Sequence, residues 1–370
     1  MNEEKSLLAL VMIVRNEAPS MARIIESVRD QVDCAVIVDT GSTDGTAEIA
    51  RQALGEIPRD IYEYPFVDFA TTRNQSLDLA APRAVFGLLL SGDETLVDPD
   101  GLVRRHCIET RDRTDDLGAW NVQLSIGGTK FFSTRLVRLS AGWRYVGEVH
   151  EVLVKPGHPP VRARIDGPVI VHAATDPDRK RLRLYRDLEI LREKMRQAPE
   201  DTRTQFYLAQ TISELGMHAQ AFEAYKRRVT MATGFVEEQY EAAFRMAMTS
   251  MLLGRPWPET QELFLEAHAI DPRRAEPIHQ VANYWRFQKN WPLCWMFASY
   301  GAEISYPNDC VLFVDVDVYR YRLAELASIA GFYVGQMDRG RRYAEKAAAA
   351  RPEDARLKEN LAKYESVAKT

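Results

Sequence analysis

The sequence lacks several features that would place it in a familiar class. Its 370 residues include four cysteines, none of them in a C-x-x-C pair, and no signal peptide is recognised at the start. We therefore expect reduced thiols in a cytoplasmic protein. The longest apolar runs, residues 7–14 and 85–90, are far shorter than the roughly 20 residues of a membrane-spanning helix. A net charge of −5 offers no overall attraction to nucleic acid or anionic membranes.

Two phosphate-binding motifs are also missing. The chain contains neither G-x-x-x-x-G-K-[ST] nor G-x-G-x-x-G. It therefore lacks the signatures of nucleotide kinases and of dinucleotide-dependent oxidoreductases. Nucleotidyl transfer also uses a nucleotide-binding α/β domain, but it normally requires a basic, glycine-rich loop near the N-terminus. Residues 15–17 (RNE) contain no glycine, and this reading is therefore disfavoured.

Residues 1–175 alternate short β-type runs with amphipathic helices. Strands are predicted at residues 8–14, 34–39, 61–64 and 85–90, with helices at 19–31, 45–54 and 69–80 between them. Nearly continuous apolar strands are typical of a parallel sheet covered by helices on both faces. After a polar helix at 99–111, further β-type runs at 121–126, 131–139, 152–154 and 169–171 predict an antiparallel extension.

From residue 176 onward, strand signals nearly disappear and helices dominate. The pattern predicts three parts: residues 1–175, a connecting helix within 176–198, and a helical domain at 199–370. Small residues recur seven apart, as Ala209 with Gly216 and Ala247 with Gly254, and this spacing resembles degenerate tetratricopeptide repeats. An ordinary helical bundle with chance spacing is the alternative. Residues 309–321 interrupt the pattern between the third and fourth repeats.

The chemistry is centred on the stretch 36–46, where an apolar strand meets a helix. Asp39 ends the strand and Asp44 follows five residues later, with Gly41 and Ser42 between them. Backbone N–H groups at such a helix start favour anionic groups such as phosphate, while a carboxylate binds hydroxyl or base N–H donors. The alternative assigns Asp44 to a helix cap and Asp39 to the turn.

Three other polar features follow predicted strands: Asn16 with Glu17, the segment 68–74 with Arg73, and the segment 91–94. Because parallel strands bring their carboxyl ends to one edge of a sheet, we expect all four features to share one crevice. Carboxylates beside an arginine suit a sugar nucleotide with a divalent cation, since the cation and the arginine neutralise the diphosphate.

Five ordered motifs resemble one known family. They are residues 12–17 (MIVRNE), 38–44 (VDTGSTD), 68–70 (DFA) with 73–74 (RN), 93–94 (DE) and 147–151 (GEVHE). These look like the inverting family 2 glycosyltransferases of the GT-A fold, in a branch with C-terminal tetratricopeptide repeats. The resemblance implies an α/β fold, a nucleotide-diphosphate sugar donor (foremost a UDP-sugar), transfer of a hexose with inversion, and Mn²⁺ or Mg²⁺. The donor site then comprises Asn16, Glu17, Asp39, Gly41, Ser42, Asp44, Arg73, Asn74 and Ser91, and Asp93 serves the metal site and catalysis.

The chain departs from the family at one position. The family usually has Asp-Ala-Asp-Glu after the fourth strand, and here Ser91 replaces the first aspartate. The change removes a negative charge from the cation site, which leaves open weaker metal binding, recruitment of another ligand, or loss of the metal. His150 and His172 follow β-type runs and are the candidate additional ligands. A hydrogen-bonded structural role is the alternative for each.

Inversion requires a carboxylate that removes the proton of the acceptor hydroxyl. Glu151 is the first candidate and Glu94 the second, while Trp143 and Tyr145 are expected to form an apolar platform for the acceptor. The alternatives are that Glu151 is a surface strand residue and that Trp143 is a core residue. The implied acceptors are a glycan, a lipid-linked glycan, a peptide or a modified nucleic acid, and the repeats are expected to serve the acceptor or a homo-oligomer. The rival function is a catalytically impaired scaffold that only binds a nucleotide sugar.

Overall fold

The computed structural model describes residues 5–113, 118–126, 129–159, 161, 163–173, 177–231, 233–310 and 312–367. The chain divides into two compact units, Met1–Arg183 and Leu184–Thr370. The split falls inside a long helix, Pro177–Gln197. Within the described residues, no helix combines the length and the apolar character needed to cross a membrane.

The first unit contains ten strands and four helices among its described residues. The strands are β1 Ser6–Val14, β2 Cys34–Asp39, β3 Arg59–Glu63, β4 Ala84–Leu90, β5 Glu94–Val97, β6 Ala119–Ile126, β7 Thr129–Arg138, β8 Arg144–Val146, β9 Val152–Val154 and β10 Arg164–His172. The helices are α1 Ala18–Val28, α2 Thr46–Leu54, α3 Phe69–Ala80 and α4 Leu102–Thr110. Every predicted element is present, whereas β5 and β8 were not predicted.

Eight of these strands form one mixed sheet in the order β3-β2-β1-β4-β7-β6-β10-β5, and β8 pairs with β9. Strands β3, β2, β1 and β4 are mutually parallel. Strand β7 runs antiparallel to both β4 and β6, and β10 is parallel to β6. The carboxyl ends of β1, β2, β4 and β10 therefore lie at the same edge. This arrangement confirms the predicted α/β class and its antiparallel extension.

The two faces of β1 show why this sequence forms a covered sheet. Successive side chains of a strand point to opposite faces. Leu10 and Met12 pack in a cluster with Ile24 of α1, whereas Val11 packs in a second cluster with Leu77 of α3. Both faces of the strand are therefore apolar, and its apolar residues form a continuous run instead of alternating with polar ones.

The second unit consists of paired helices. After α5, Pro177–Gln197, come α6 Thr202–Glu214, α7 His218–Thr230, α8 Val236–Leu252, α9 Trp257–Ile270, α10 Glu276–Phe287, α11 Trp291–Gly301, α12 Leu323–Tyr333, α13 Met337–Ala350 and α14 Ala355–Val367. Helices α6 and α7, α8 and α9, α10 and α11, and α12 and α13 pack as four consecutive pairs. This series agrees with the predicted repeats, and a π-helical turn, Val318–Arg322, precedes the fourth pair.

Each of the four helix pairs is joined by the same kind of turn. One residue of every turn has a positive φ: 75° at Gly216, 65° at Gly254, 54° at Lys289 and 75° at Gly335. The residue after it donates its N–H to a carbonyl five positions earlier, as Gln336 does to Gly331 at 2.8 Å. This bond satisfies a carbonyl at the end of the first helix of the pair. The third turn differs from the others because a lysine occupies the glycine position.

Candidate active site

Asp39 is buried at the carboxyl end of β2, with 3% of its surface exposed. Its Oδ1 accepts N–H bonds from Gly41 at 3.0 Å and Ser42 at 2.7 Å. These two amides bind the carboxylate, so the prediction that they would face phosphate is wrong. In the described part of the chain no further hydrogen bond reaches the Asp39 side chain, which leaves Oδ2 as a possible acceptor for a ligand.

Asn16 connects the turn after β1 to the turn after β2. Its φ is 56°, a conformation that asparagine adopts more readily than most residues. The Asn16 N–H donates to Ser42 Oγ at 2.9 Å, and its Oδ1 accepts the N–H of Thr43 at 2.8 Å. Asn16 and Ser42 therefore fix the shape of the turn after β2 in this structure.

Asp44 and Thr46 complete the connection between the two turns. Asp44 Oδ2 accepts the N–H of Ala18 at 3.1 Å, and Oδ1 accepts the Thr46 N–H at the start of α2. The Thr46 hydroxyl accepts the N–H of Glu17 at 2.8 Å. Although slight desolvation would raise the pKa of Asp44, these hydrogen bonds lower it below its usual value. Asp44 thus holds two helix starts together in addition to capping α2.

Gly92 brings the loop after β4 against the turn after β1. The hydroxyl of Ser20 donates to the Gly92 carbonyl at 2.6 Å. A Cβ atom at Gly92 would lie 2.4 Å from Cγ of Glu17, so the Glu17 side chain packs directly over this glycine. Three of the four predicted features are therefore in contact at one edge of the sheet.

Arg73 of α3 joins the fourth feature to the same loop. Its Nε donates to Glu151 Oε1 at 2.6 Å, its Nη2 donates to Ser91 Oγ at 3.2 Å, and its guanidinium lies 5.4 Å from the ring centre of Tyr145. Burial alone would lower the pKa of Arg73, but its neighbours Tyr145 and Glu151 raise it above its usual value. Arg73 is therefore a permanent cation that fixes the candidate base.

Glu94 is unsuited to the role of second candidate base. Its side chain is almost completely buried, with Oε1 bound by Arg135 at 2.6 Å and Oε2 bound by the Ser91 N–H at 2.9 Å. Both oxygens are thus engaged in holding the loop. Arg135 was not identified from the sequence, and no local pattern marks it, since its partner Glu94 lies 41 residues away in the chain.

Asp93 and His172 form the candidate cation site. His172 Nε2 lies 3.0 Å from Asp93 Oδ2, and His172 Nδ1 lies 3.0 Å from the carbonyl oxygen of Ala173. A carbonyl only accepts hydrogen bonds, so Nδ1 carries a proton. Nε2 faces the carboxylate and either carries a second proton or directs its lone pair at a cation. Burial raises the pKa of Asp93, and His172 partly opposes that effect.

A divalent cation fits this pair, because such ions commonly bind one or two protein carboxylates and complete their shell with water and substrate phosphates. Among the described residues, no group of three or more His, Cys, Asp and Glu side chains is placed to hold a metal ion. His150 therefore does not complete the pair formed by Asp93 and His172, and its predicted role as a third ligand is not supported. Its φ of 51° marks a strained turn.

Three further predictions need correction. The side-chain amide of Asn74 hydrogen-bonds to the backbone of β8. It donates to the Tyr145 carbonyl and accepts the Tyr145 N–H, each at 2.8 Å. It positions this strand instead of binding the donor. Trp143 is 3% exposed and Tyr145 8% exposed, and both belong to the apolar cluster beneath the site. Neither ring is available as an acceptor platform.

The protein is an α/β unit followed by a series of helix pairs. The α/β unit has a polar crevice at the ends of its parallel strands. Residues 9–77 match the family model for glycosyl transferase family 2. That match spans β1 to most of α3 and includes the elbow. This part of the first unit is therefore similar to glycosyl transferase family 2, as the motifs predicted.

A 90-residue stretch of the chain is 39% identical to a TPR repeat-containing protein of Synechococcus elongatus. The alignment covers 24% of this chain and 21% of the relative, so the chain spans about a fifth of that protein's length. Among solved structures, MamA is 15% identical with a TM-score of 0.37 over 50% of this chain and 99% of MamA. A TPR protein of Cytophaga hutchinsonii is 11% identical with a TM-score of 0.39, over 50% and 66%. These structural scores are too low to carry a functional argument.

Proposed function

We propose that the first unit is an inverting, metal-assisted glycosyltransferase that uses a nucleotide-diphosphate sugar, foremost a UDP-sugar. Its acceptor is a hydroxyl group of a glycan, a lipid-linked glycan or a peptide. The observation that carries this proposal is the meeting of Asp39, Ser91, Asp93 and the Arg73–Glu151 pair at one sheet edge within a family 2 domain. Carboxylates and a permanent cation suit a ligand with hydroxyl groups and a diphosphate.

Donor binding is assigned to Asp39, whose Oδ2 accepts from a ribose hydroxyl or a base N–H. The bonds from Gly41 and Ser42 fix the carboxylate before the ligand arrives. Such preorganisation reduces the ordering cost of binding. A rigid elbow is therefore part of the proposed donor site, even though its amides do not face the phosphates.

Asp93 and His172 would hold the divalent cation through Oδ2 and Nε2. When bound, the cation supplies positive charge that neutralises the diphosphate as it leaves. The hydrogen bond from His172 Nδ1 to the Ala173 carbonyl orients the imidazole toward this position. Ser91 contributes no charge and instead accepts a bond from Arg73.

Glu151 is assigned the role of base. Arg73 binds Oε1, which leaves Oε2 to accept the proton of the acceptor hydroxyl. As that proton moves to Oε2, the acceptor oxygen bonds to the anomeric carbon and the bond from this carbon to the diphosphate oxygen breaks. The electron pair leaves with the diphosphate, and the configuration at carbon inverts.

The test uses Glu151→Gln, which keeps an oxygen for Arg73 but cannot take the proton. We expect kcat for sugar transfer to fall by about 10²-fold or more, with donor affinity nearly unchanged. Glu148→Gln is the matched control, since it makes the same change at an exposed neighbour. Normal turnover by Glu151→Gln, or a product with retained anomeric configuration, would contradict the assignment.

The rival function, a binding scaffold without turnover, is favoured by one observation. Arg73 already engages both Ser91 and Glu151, so the groups needed for catalysis bind one another. Binding of a UDP-sugar by calorimetry, together with absence of donor hydrolysis in Mn²⁺ and Mg²⁺, would support the scaffold.

A further inference from the structure

The turns within the helix pairs expose large apolar side chains at one recurring position. In three of the four turns, the residue two positions before the positive-φ residue is apolar and mostly exposed: Leu252 at 65%, Phe287 at 67% and Tyr333 at 60%. The first turn has Glu214 at this position. Apolar residues exposed singly are common on protein surfaces and need no explanation, but their recurrence at one structural position does.

The three turns are neighbours, because pairs of stacked aromatic rings connect them. Trp257, the first residue of α9, stacks on Tyr284 near the end of α10, with ring centres 3.5 Å apart. Trp291, the first residue of α11, stacks on Tyr333 at the end of α12, with ring centres 4.1 Å apart. The three turns therefore form one continuous edge of the second unit.

Basic residues are concentrated in the same three turns. We give the name turn edge to residues 250–258, 285–293 and 331–339, which extend four residues to either side of each positive-φ residue. The turn edge contains one acidic residue, Asp338, and four basic residues, Arg255, Arg286, Lys289 and Arg339. The whole chain has 48 basic and 53 acidic residues, so this edge is locally positive on an acidic protein.

The first turn provides an internal comparison. Residues 212–220 occupy the equivalent range around Gly216, and they contain Glu214 but no lysine or arginine. Positive charge and exposed apolar side chains are therefore present together in three turns and absent together from the fourth. In the third turn they are also in contact, since the guanidinium of Arg286 lies 4.3 Å from the ring centre of Phe287.

This combination is complementary to a lipid surface with anionic headgroups. Tryptophan and tyrosine are enriched where a membrane meets water, because their rings are amphipathic. Exposed leucine and phenylalanine side chains enter the boundary between headgroups and acyl chains, and lysine and arginine are attracted to the negative surface potential. A fluid lipid surface accepts side chains that project from turns, whereas a folded partner requires a complementary pocket for each of them.

We propose that the turn edge binds reversibly to a lipid surface with anionic headgroups. Leu252, Phe287 and Tyr333 enter the headgroup boundary, while Arg255 and Lys289 contact the anionic headgroups. Because the charges are exposed, salt weakens this contact. The proposal goes beyond the transfer reaction proposed above and does not depend on it.

The test measures co-sedimentation of full-length protein with vesicles of phosphatidylcholine alone and with vesicles of phosphatidylcholine and phosphatidylglycerol in equal amounts. We expect binding to the anionic vesicles to be about tenfold tighter at low salt. The double variant Leu252→Ser with Phe287→Ser should bind them about tenfold more weakly than the unchanged protein. Val236→Ser is the matched control, since Val236 is 52% exposed at the opposite end of α8 from Leu252. It should bind like the unchanged protein.

The electrostatic part is tested with Lys289→Glu, which should weaken binding to the anionic vesicles about fivefold. Lys226→Glu makes the same change at an exposed position of α7, and it should have less effect. All of these side chains are exposed or half-buried, so circular dichroism should show the helices of every variant intact.

Three results would overturn the proposal. They are no sedimentation with anionic vesicles, equal binding to both kinds of vesicle, and equal loss in Val236→Ser and in the double variant. A dimer that the double variant dissociates, without vesicle binding by the unchanged protein, would assign the turn edge to a second copy instead. Donor hydrolysis measured without vesicles should be the same in all variants, and its absence from all of them would count against the proposed transfer reaction alone.

Discussion

Replacing Lys289 with glycine should stabilise the second unit. Lys289 occupies the left-handed position of the third helix turn, where the other three turns have Gly216, Gly254 and Gly335. Its side chain is exposed, and in the described part of the chain it makes no hydrogen bond or ion pair. Lys289→Gly therefore removes backbone strain without removing a side-chain contact.

The size of the effect follows from the backbone alone. A non-glycine residue in the left-handed region costs roughly 1–2 kcal/mol, and the greater freedom of glycine in the unfolded chain offsets part of the gain. We expect a net stabilisation of about 1 kcal/mol, or about 2–4 °C in the melting temperature of a unit of this size. Conversely, Gly216→Ala, Gly254→Ala and Gly335→Ala should each lose about 1 kcal/mol. No atom lies within 4 Å of a Cβ at these three positions, so crowding does not contribute.

Urea unfolding followed by far-ultraviolet circular dichroism measures these differences as changes in the free energy of unfolding. Lys289→Ala is the informative control, since it removes the same side chain but retains the strain and should change stability very little. If Lys289→Ala stabilised the protein as much as Lys289→Gly, the gain would come from the lysine side chain and the backbone argument would be refuted.

Two further predictions concern pH and metal binding. Burial, reinforced by Arg322 and Arg286, lowers the pKa of His279 to about 4. Below about pH 6.5 the unfolded chain binds a proton at this residue, whereas the folded chain does not. Up to about 3 kcal/mol of the stability present above that pH is therefore lost as the pH falls toward 4. Urea unfolding at pH 7 and pH 5 should show this loss, and an equal loss in His279→Gln would contradict it. Ser91→Asp should tighten Mn²⁺ binding about tenfold in calorimetry, equivalent to about 1.4 kcal/mol, because a hard cation gains a charged oxygen. Ser91→Asn is the control of equal size, and identical titrations for the two variants would show that position 91 does not face the cation.

The sequence predicted the framework well because burial on both faces leaves a continuous apolar signal. Strands β1, β2 and β4 and helix α3 were found at or within two residues of their observed bounds. Strands β5 and β8 contain four and three residues, too few to show periodicity. Their pairing depends on β10 and β9, which come much later in the chain.

The details of the site were less predictable, because a sequence does not show which partner each polar group chooses. The Gly41 and Ser42 amides could face a phosphate or a carboxylate, and the fold places Asp39 Oδ1 closer. Asn74 likewise binds a backbone segment that lies 71 residues away in sequence. Long-range pairings of this kind depend on tertiary packing and leave no local pattern.

The surroundings of Ser91 give a physical reason for its departure from the family pattern. Two glutamates and two arginines already balance one another there, since Arg73 binds Glu151 and Arg135 binds Glu94. A carboxylate at position 91 would add a negative charge to this half-buried group, and burying such a charge is costly unless a cation accompanies it. With serine, the cluster is neutral without a metal, and the proposed cation is left to Asp93 and His172. Metal binding should therefore follow these two residues, while the Arg73–Glu151 pair keeps its geometry whether or not the cation is bound.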